Sequence, residues 1–177
     1  MKRRQVLKYT ALFTGAAVGA PLLLSLESCA SEVKNVNTYK PQFFSEDDFA
    51  IVKKVVDTIL PATDSPSASE VGVHVMIDDM VANVYPEPEK QIYADQSKVL
   101  MNHLNSLETI DKSQLLLIEQ GDDEVLRNGF QALKQQSVAY YLNTEKVGKE
   151  FLNYLPVPGE YEGCIELSEV DGKAWAI

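Results

Sequence analysis

The chain has 177 residues, 45% hydrophobic and 24% charged, with 16 Lys and Arg against 26 Asp and Glu for a formal net charge of −10. That balance excludes a nucleic-acid binder, because neutralising phosphates takes clustered Lys and Arg, and it excludes electrostatic docking on anionic lipid. The length supports one modest domain with a single core.

The first element is an address label. Met1-Lys2-Arg3-Arg4-Gln5-Val6-Leu7-Lys8 is basic, Tyr9 to Leu26 is apolar, and Leu26-Glu27-Ser28-Cys29 closes the segment. Basic, apolar and then small-residue regions in that order make a secretory signal. The apolar stretch has nearly the length of a membrane span, about 20 residues. It is only weakly hydrophobic, however, with Thr10, Thr14, Gly15, Gly19, Pro21 and Ser25 inside it. Arg3 and Arg4, followed by Gln5, Val6, Leu7 and Lys8, resemble the twin-arginine export signal, and an ordinary secretory signal is the alternative. Leu26-Glu27-Ser28-Cys29 resembles a lipoprotein processing site, with Glu27 a departure from the usual small or apolar residue. Diacylglycerol on Cys29 would tether the mature chain through its acyl methylenes; simple cleavage nearby, as after Ala30, is the alternative. The expected location is therefore the periplasmic face of a bacterial membrane. Residues 1–28 are read as signal and residues 29–42 as a polar tether.

Removing residues 1–28 takes away Lys2, Arg3, Arg4, Lys8 and Glu27, leaving 12 basic and 25 acidic residues, and Arg127 is then the sole Arg. If Cys29 carries lipid, Cys164 has no intramolecular partner. It is then expected to be buried as a small hydrophobe, or bonded to another subunit.

A helical domain is expected over residues 43–155. Ser45 and Asp48 form a capping-box pattern ahead of Phe49, Val52, Val55/Val56 and Ile59/Leu60, and Pro61 ends that helix. Residues 61–69 form a turn, and Ser67 with Glu70 predicts the start of a second helix carrying Val71, Met76/Ile77, Met80/Val81 and Val84. A third runs from Glu87 through Ile92, Val99/Leu100, Leu104 and Leu107. Asp111 with Gln114 opens a short apolar helix over Leu115-Leu116-Leu117-Ile118, closed near Gly121. Asp122, Asp123 and Glu124 suit the next helix N-terminus, which leads into Val125/Leu126, Phe130, Leu133, Ser137 and Tyr140/Tyr141. Thr144 caps a last helix through Phe151, Leu152 and Leu155. No run of period-2 strands is seen. The fold class is all-α, a small irregular helical bundle. Residues 156–177 contain Pro156, Pro158, Gly159 and Gly163 and form an extended tail. Tyr161, Cys164 and Trp175 in that tail are the candidate partner-docking residues, since aromatic side chains anchor interfaces.

No catalytic, cofactor or metal site is expected in this chain. A Gly-rich dinucleotide fingerprint and a Cys-x-x-Cys-His haem motif are both missing. His74 and His103 lie far apart; His74 could pair with Asp78, but two residues do not make a metal site. The carboxylates Asp47/Asp48, Asp78/Asp79 and Asp122/Asp123/Glu124 are read as helix starts or solvated faces.

Phe44-Ser45-Glu46-Asp47-Asp48-Phe49, the run Val55 to Ala68 with Ile59-Leu60-Pro61 and Asp64-Ser65-Pro66, then Val71-Gly72-Val73-His74 and Ile77-Asp78 resemble gluconate 2-dehydrogenase subunit 3. Ser67 stands where that family usually has Gly, and Val71 where it has Ala. Pro158, Gly159, Tyr161, Gly163, Cys164 and Trp175 extend the likeness, which spans residues 43–177. The resemblance implies a non-catalytic small subunit of a membrane-associated sugar or sugar-acid dehydrogenase. Its partner would be a large FAD-bearing subunit of the glucose–methanol–choline type, often with a cytochrome c subunit carrying haem. The small subunit would bear the export signal for the complex. A standalone lipid-anchored binding or scaffold lipoprotein is the alternative reading, and an oxidoreductase in its own right is the weakest.

Overall fold

The computed structural model describes residues 39–157, 159 and 164–176. Tyr39 to Ile177 forms one compact unit. Among the described residues there are six α-helices and no β-strand: α1 (Glu46–Ile59), α2 (Val73–Asn83), α3 (Glu87–Asn105), α4 (Lys112–Gln120), α5 (Glu124–Leu142) and α6 (Glu145–Glu150). The all-α expectation holds.

Short-range chemistry sets three of these six helix starts. Ser45 Oγ accepts from Asp48 N at 3.1 Å, Asp111 Oδ1 from Gln114 N at 2.9 Å, and Asp123 Oδ1 from Leu126 N at 3.0 Å. Each satisfies one of the N–H groups that a helix start leaves without a partner, for about 1 kcal/mol. Glu46, Asp47 and Asp48 add negative charge at the positive end of α1.

The second helix departs from expectation. Ser67 and Glu70 do bond reciprocally: Ser67 N donates to Glu70 Oε2 at 2.8 Å and Glu70 N to Ser67 Oγ at 3.4 Å. They close only an isolated turn, because Gly72 follows at φ 79°, in the left-handed region that interrupts a right-handed helix. Helix α2 therefore starts at Val73. Its buried arc contains His74, Ile77, Asp78 and Val81, while Val84 is 60% exposed. In α3 the buried residues are Tyr93, Leu100, Met101 and Leu104, whereas Ile92 and Val99 face solvent. Sequence spacing placed Leu100 and Leu104 correctly in the core, but set Ile92 and Val99 beside them where Tyr93 and Met101 are buried.

Helix α5 is the hub and packs against all five other helices. Phe130 and Leu133 lie in its buried stripe, within a core that also takes Val52, Val55, Val56, Ile77, Val81, Leu100 and Leu104. Gly129 lets α3 approach: a Cβ there would stand 2.8 Å from the backbone oxygen of Gln96.

Helix α6 stops at Glu150, so Leu155, expected within it, is half exposed. Thr144 precedes α6 but its hydroxyl makes no capping bond, donating instead to Tyr141 O at 2.8 Å. The tail is not extended throughout: Leu167–Val170 forms a 3-10 turn closed by Glu166 and Glu169.

Candidate partner-docking site

Two segments outside the helices carry the features that bear on function. The first is the stretch from Tyr39 to Phe44, where the chain enters the bundle. Asp78 is wholly buried on α2, and its two carboxylate oxygens collect four donors from that stretch. Oδ2 accepts from Tyr39 OH at 2.6 Å and Gln42 N at 2.7 Å; Oδ1 accepts from Phe43 N at 3.0 Å and Phe44 N at 2.9 Å. A buried carboxylate is tolerated where its lone pairs are filled in this way. Burial and the Asp78 carboxylate push the Tyr39 phenol above its ordinary value, keeping it protonated as a donor. Asp78 was grouped with solvated acids in the sequence, and its burial corrects that. The available signal was its register: positions 74, 77, 78 and 81 share one helix face.

His74, one turn before Asp78, does not pair with it. The imidazole is 2% exposed, its Nδ1 has no hydrogen-bond partner, and its ring lies 5.1 Å from that of Phe49. Burial, with repulsion from Lys53, lowers its pKa to about 4, against a smaller opposing pull from Asp57. A neutral imidazole filling a packing position is what results.

The turn between α1 and α2 is fastened from three sides. Ala68 N donates to Leu60 O at 3.0 Å, Ser69 N to Asp57 Oδ1 at 2.8 Å, and Tyr141 OH to Pro66 O at 2.8 Å. The residues that carry the sequence likeness thus form a braced structural turn. Among the described residues, no group of three or more His, Cys, Asp or Glu is arranged to hold a metal ion.

The second segment is the tail. Asn153 N donates to Ala174 O at 2.8 Å and Ala176 N to Asn153 O at 3.1 Å, an isolated parallel bridge between Asn153 and Trp175. Lys173 Nζ adds a bond to Glu150 O at 3.2 Å. The end of the tail is therefore tied back to the end of α6. Trp175 remains 50% exposed, and Tyr154, Leu155, Val157 and Leu167 are also large exposed apolar residues of this region. Cys164 is exposed, so the expectation of burial is wrong; the tail passes it through solvent instead of through a core. Arg3, Arg4, Cys29 and Tyr161 lie outside the described residues.

Residues 46–159 match the family model of gluconate 2-dehydrogenase subunit 3. The chain belongs to that family. The match begins at the first residue of α1, runs through all six helices and ends at Gly159, before Cys164 and Trp175. No curated protein and no solved structure matches the chain. Membership of the gluconate 2-dehydrogenase subunit 3 family makes the chain an accessory subunit of a dehydrogenase complex. Among the described residues, no helix of this subunit is long and apolar enough to cross a membrane.

Proposed function

We propose that this subunit escorts an FAD-dependent dehydrogenase of the glucose–methanol–choline type across the inner membrane and then holds it at the periplasmic face. Family membership over residues 46–159 is the observation that carries the reading. Arg3 and Arg4 direct twin-arginine export, a route for folded cargo. The large subunit folds and takes up FAD in the cytoplasm, docks on this chain, and crosses with it as one complex. Lipid on Cys29 then retains the complex at the membrane. The oxidised substrate is a sugar or sugar acid.

The half-exposed Trp175, with Tyr154 and Leu155 beside its bridging partner Asn153, supports the tail as the docking surface. Aromatic residues of this kind dominate interface energetics. Exposed Cys164 is available for a bond to the partner.

Affinity purification of the tagged chain from detergent-solubilised membranes tests the proposal. The expected eluate contains a larger subunit and shows flavin absorbance. A colourless chain eluting alone, from cells that express such a flavoprotein, overturns the reading and favours a standalone lipoprotein. The Arg3→Lys, Arg4→Lys double variant tests escort: both subunits should stay in the cytoplasm. Export of the flavoprotein without this chain would contradict that role.

A further inference from the structure

We propose that the outward face of α4 is a second contact surface for the dehydrogenase subunit, received by an apolar hollow with a basic rim. This rests on the accessory-subunit reading and adds to it a surface distinct from the tail.

Helix α4 advances 100° per residue, so Leu115 and Ile118, both buried, share the face turned toward the core. The opposite face presents Ser113, Leu116, Leu117 and Gln120, all exposed, with Leu116 at 41% and Leu117 at 65%. That face carries no charge, although 24% of the chain is charged. A surface helix that meets only water places charged residues there. Beside Leu116 the surface dips into a hollow of about 220 Å³ lined by Ile59 and Phe130 and also by Lys112, Glu119 and Lys134, so the face offers an apolar ridge next to a socket with charged sides.

The surroundings decide what covers it. Glu108 and Asp111 are exposed before α4, and Asp122, Asp123 and Glu124 are exposed after it, five acids against the exposed Lys112 at the start of α4 and Arg127, which donates to Gly121 O at its end. On the flank, the Lys134–Glu119 ion pair at 2.6 Å is electrically neutral. An uncharged centre inside a charged border is the layout of a protein interface. A second copy of this chain would bring the same acids against these, at a formal net charge of −10 each. An anionic lipid surface is repelled for the same reason. A protein surface whose apolar hollow is edged by Lys and Arg satisfies both the leucines and the acids.

The test compares the full chain with its Leu117→Glu and Asp122→Lys variants for binding to the purified flavin-bearing subunit. Leu117→Glu should weaken binding about tenfold or more, because it drives a charge into the apolar centre. The unfolding midpoint of the chain alone should stay unchanged, since Leu117 is mostly in water. Asp122→Lys should weaken binding a few-fold and flatten its salt dependence. Wild-type binding with Leu117→Glu equally tight overturns this inference and leaves the accessory reading standing. Failure of the wild-type chain to bind the flavoprotein overturns both. A dimer, or attachment to phosphatidylglycerol vesicles, that Leu117→Glu abolishes would assign the face to another occupant and likewise overturn the inference.

Discussion

Replacing Asp78 by alanine removes the acceptor for four hydrogen bonds at once, and their surroundings set the cost. Gln42 is exposed, so its N–H turns to water, and the half-buried Tyr39 hydroxyl recovers part of its bond. Phe44 is buried and Phe43 partly so, and of the four donors their N–H groups are the ones replacement by water serves least. A stranded buried donor costs about 1–3 kcal/mol, so the two together cost about 4 kcal/mol. Domains of this size are stable by about 5–15 kcal/mol, which leaves the alanine variant near its limit. Asp78→Asn separates the contributions. Its carbonyl can keep the Oδ1 position for Phe43 and Phe44, while the amide meets the N–H of Gln42 where Oδ2 had been. The loss should then be about 1–2 kcal/mol. Urea unfolding of the chain from residue 29 onward, followed by far-ultraviolet circular dichroism, measures both. Hydrogen exchange should show the Phe43 and Phe44 amides losing protection in the alanine variant and keeping it in the asparagine one. A loss below about 1 kcal/mol for alanine, or equal losses for the two variants, would refute the clamp.

His74 makes stability depend on pH. With a folded pKa of about 4 below an unfolded value of about 6.5, its contribution is complete above pH 6.5 and is lost as pH falls toward 4. Between pH 7 and pH 5 that is about 2 kcal/mol, and His74→Leu should lack this part of the slope in urea titrations at the two pH values. Gly129→Ala should lower the thermal midpoint despite alanine's higher helix propensity, because its Cβ would meet Gln96 O at 2.8 Å and force α3 off α5. Overpacking of this kind costs about 1–3 kcal/mol, and an unchanged or raised midpoint would contradict the close approach. Trp175→Ala should change the stability of the isolated chain by less than about 0.5 kcal/mol yet reduce recovery of the flavoprotein in affinity purification. Undiminished recovery would remove Trp175 from the docking surface.

The helix starts that were legible from the sequence are local devices. Ser45, Asp111 and Asp123 each bond a backbone N–H three residues ahead, so one short window holds both donor and acceptor. Ser67 and Glu70 show the limit of such windows. Their reciprocal bonds form as expected, and yet Gly72, at positive φ, ends the turn before a helix can grow. The third helix was legible in extent but only partly in orientation: Leu100 and Leu104 are buried as expected, while Tyr93 and Met101 took the core positions assigned to Ile92 and Val99. Several apolar residues on one helix leave more than one stripe open, and only the neighbouring helices choose between them.

By itself the sequence determined the helical class, three capped helix starts, the turn after the first helix and its family resemblance, and the signal-like order of residues 1–28. These rest on residue type and on contacts a few positions apart. Tertiary structure alone decided that Asp78 is a buried clamp, that Gly129 admits α3, that the tail returns to Asn153, and that Cys164 stays in solvent. Asp78 reaches donors 34 to 39 residues away, and the tail meets Asn153 across more than 20 residues, at Ala174 and Ala176. Partners at such separations are selected by the packing of the whole bundle, which short-range patterns do not encode.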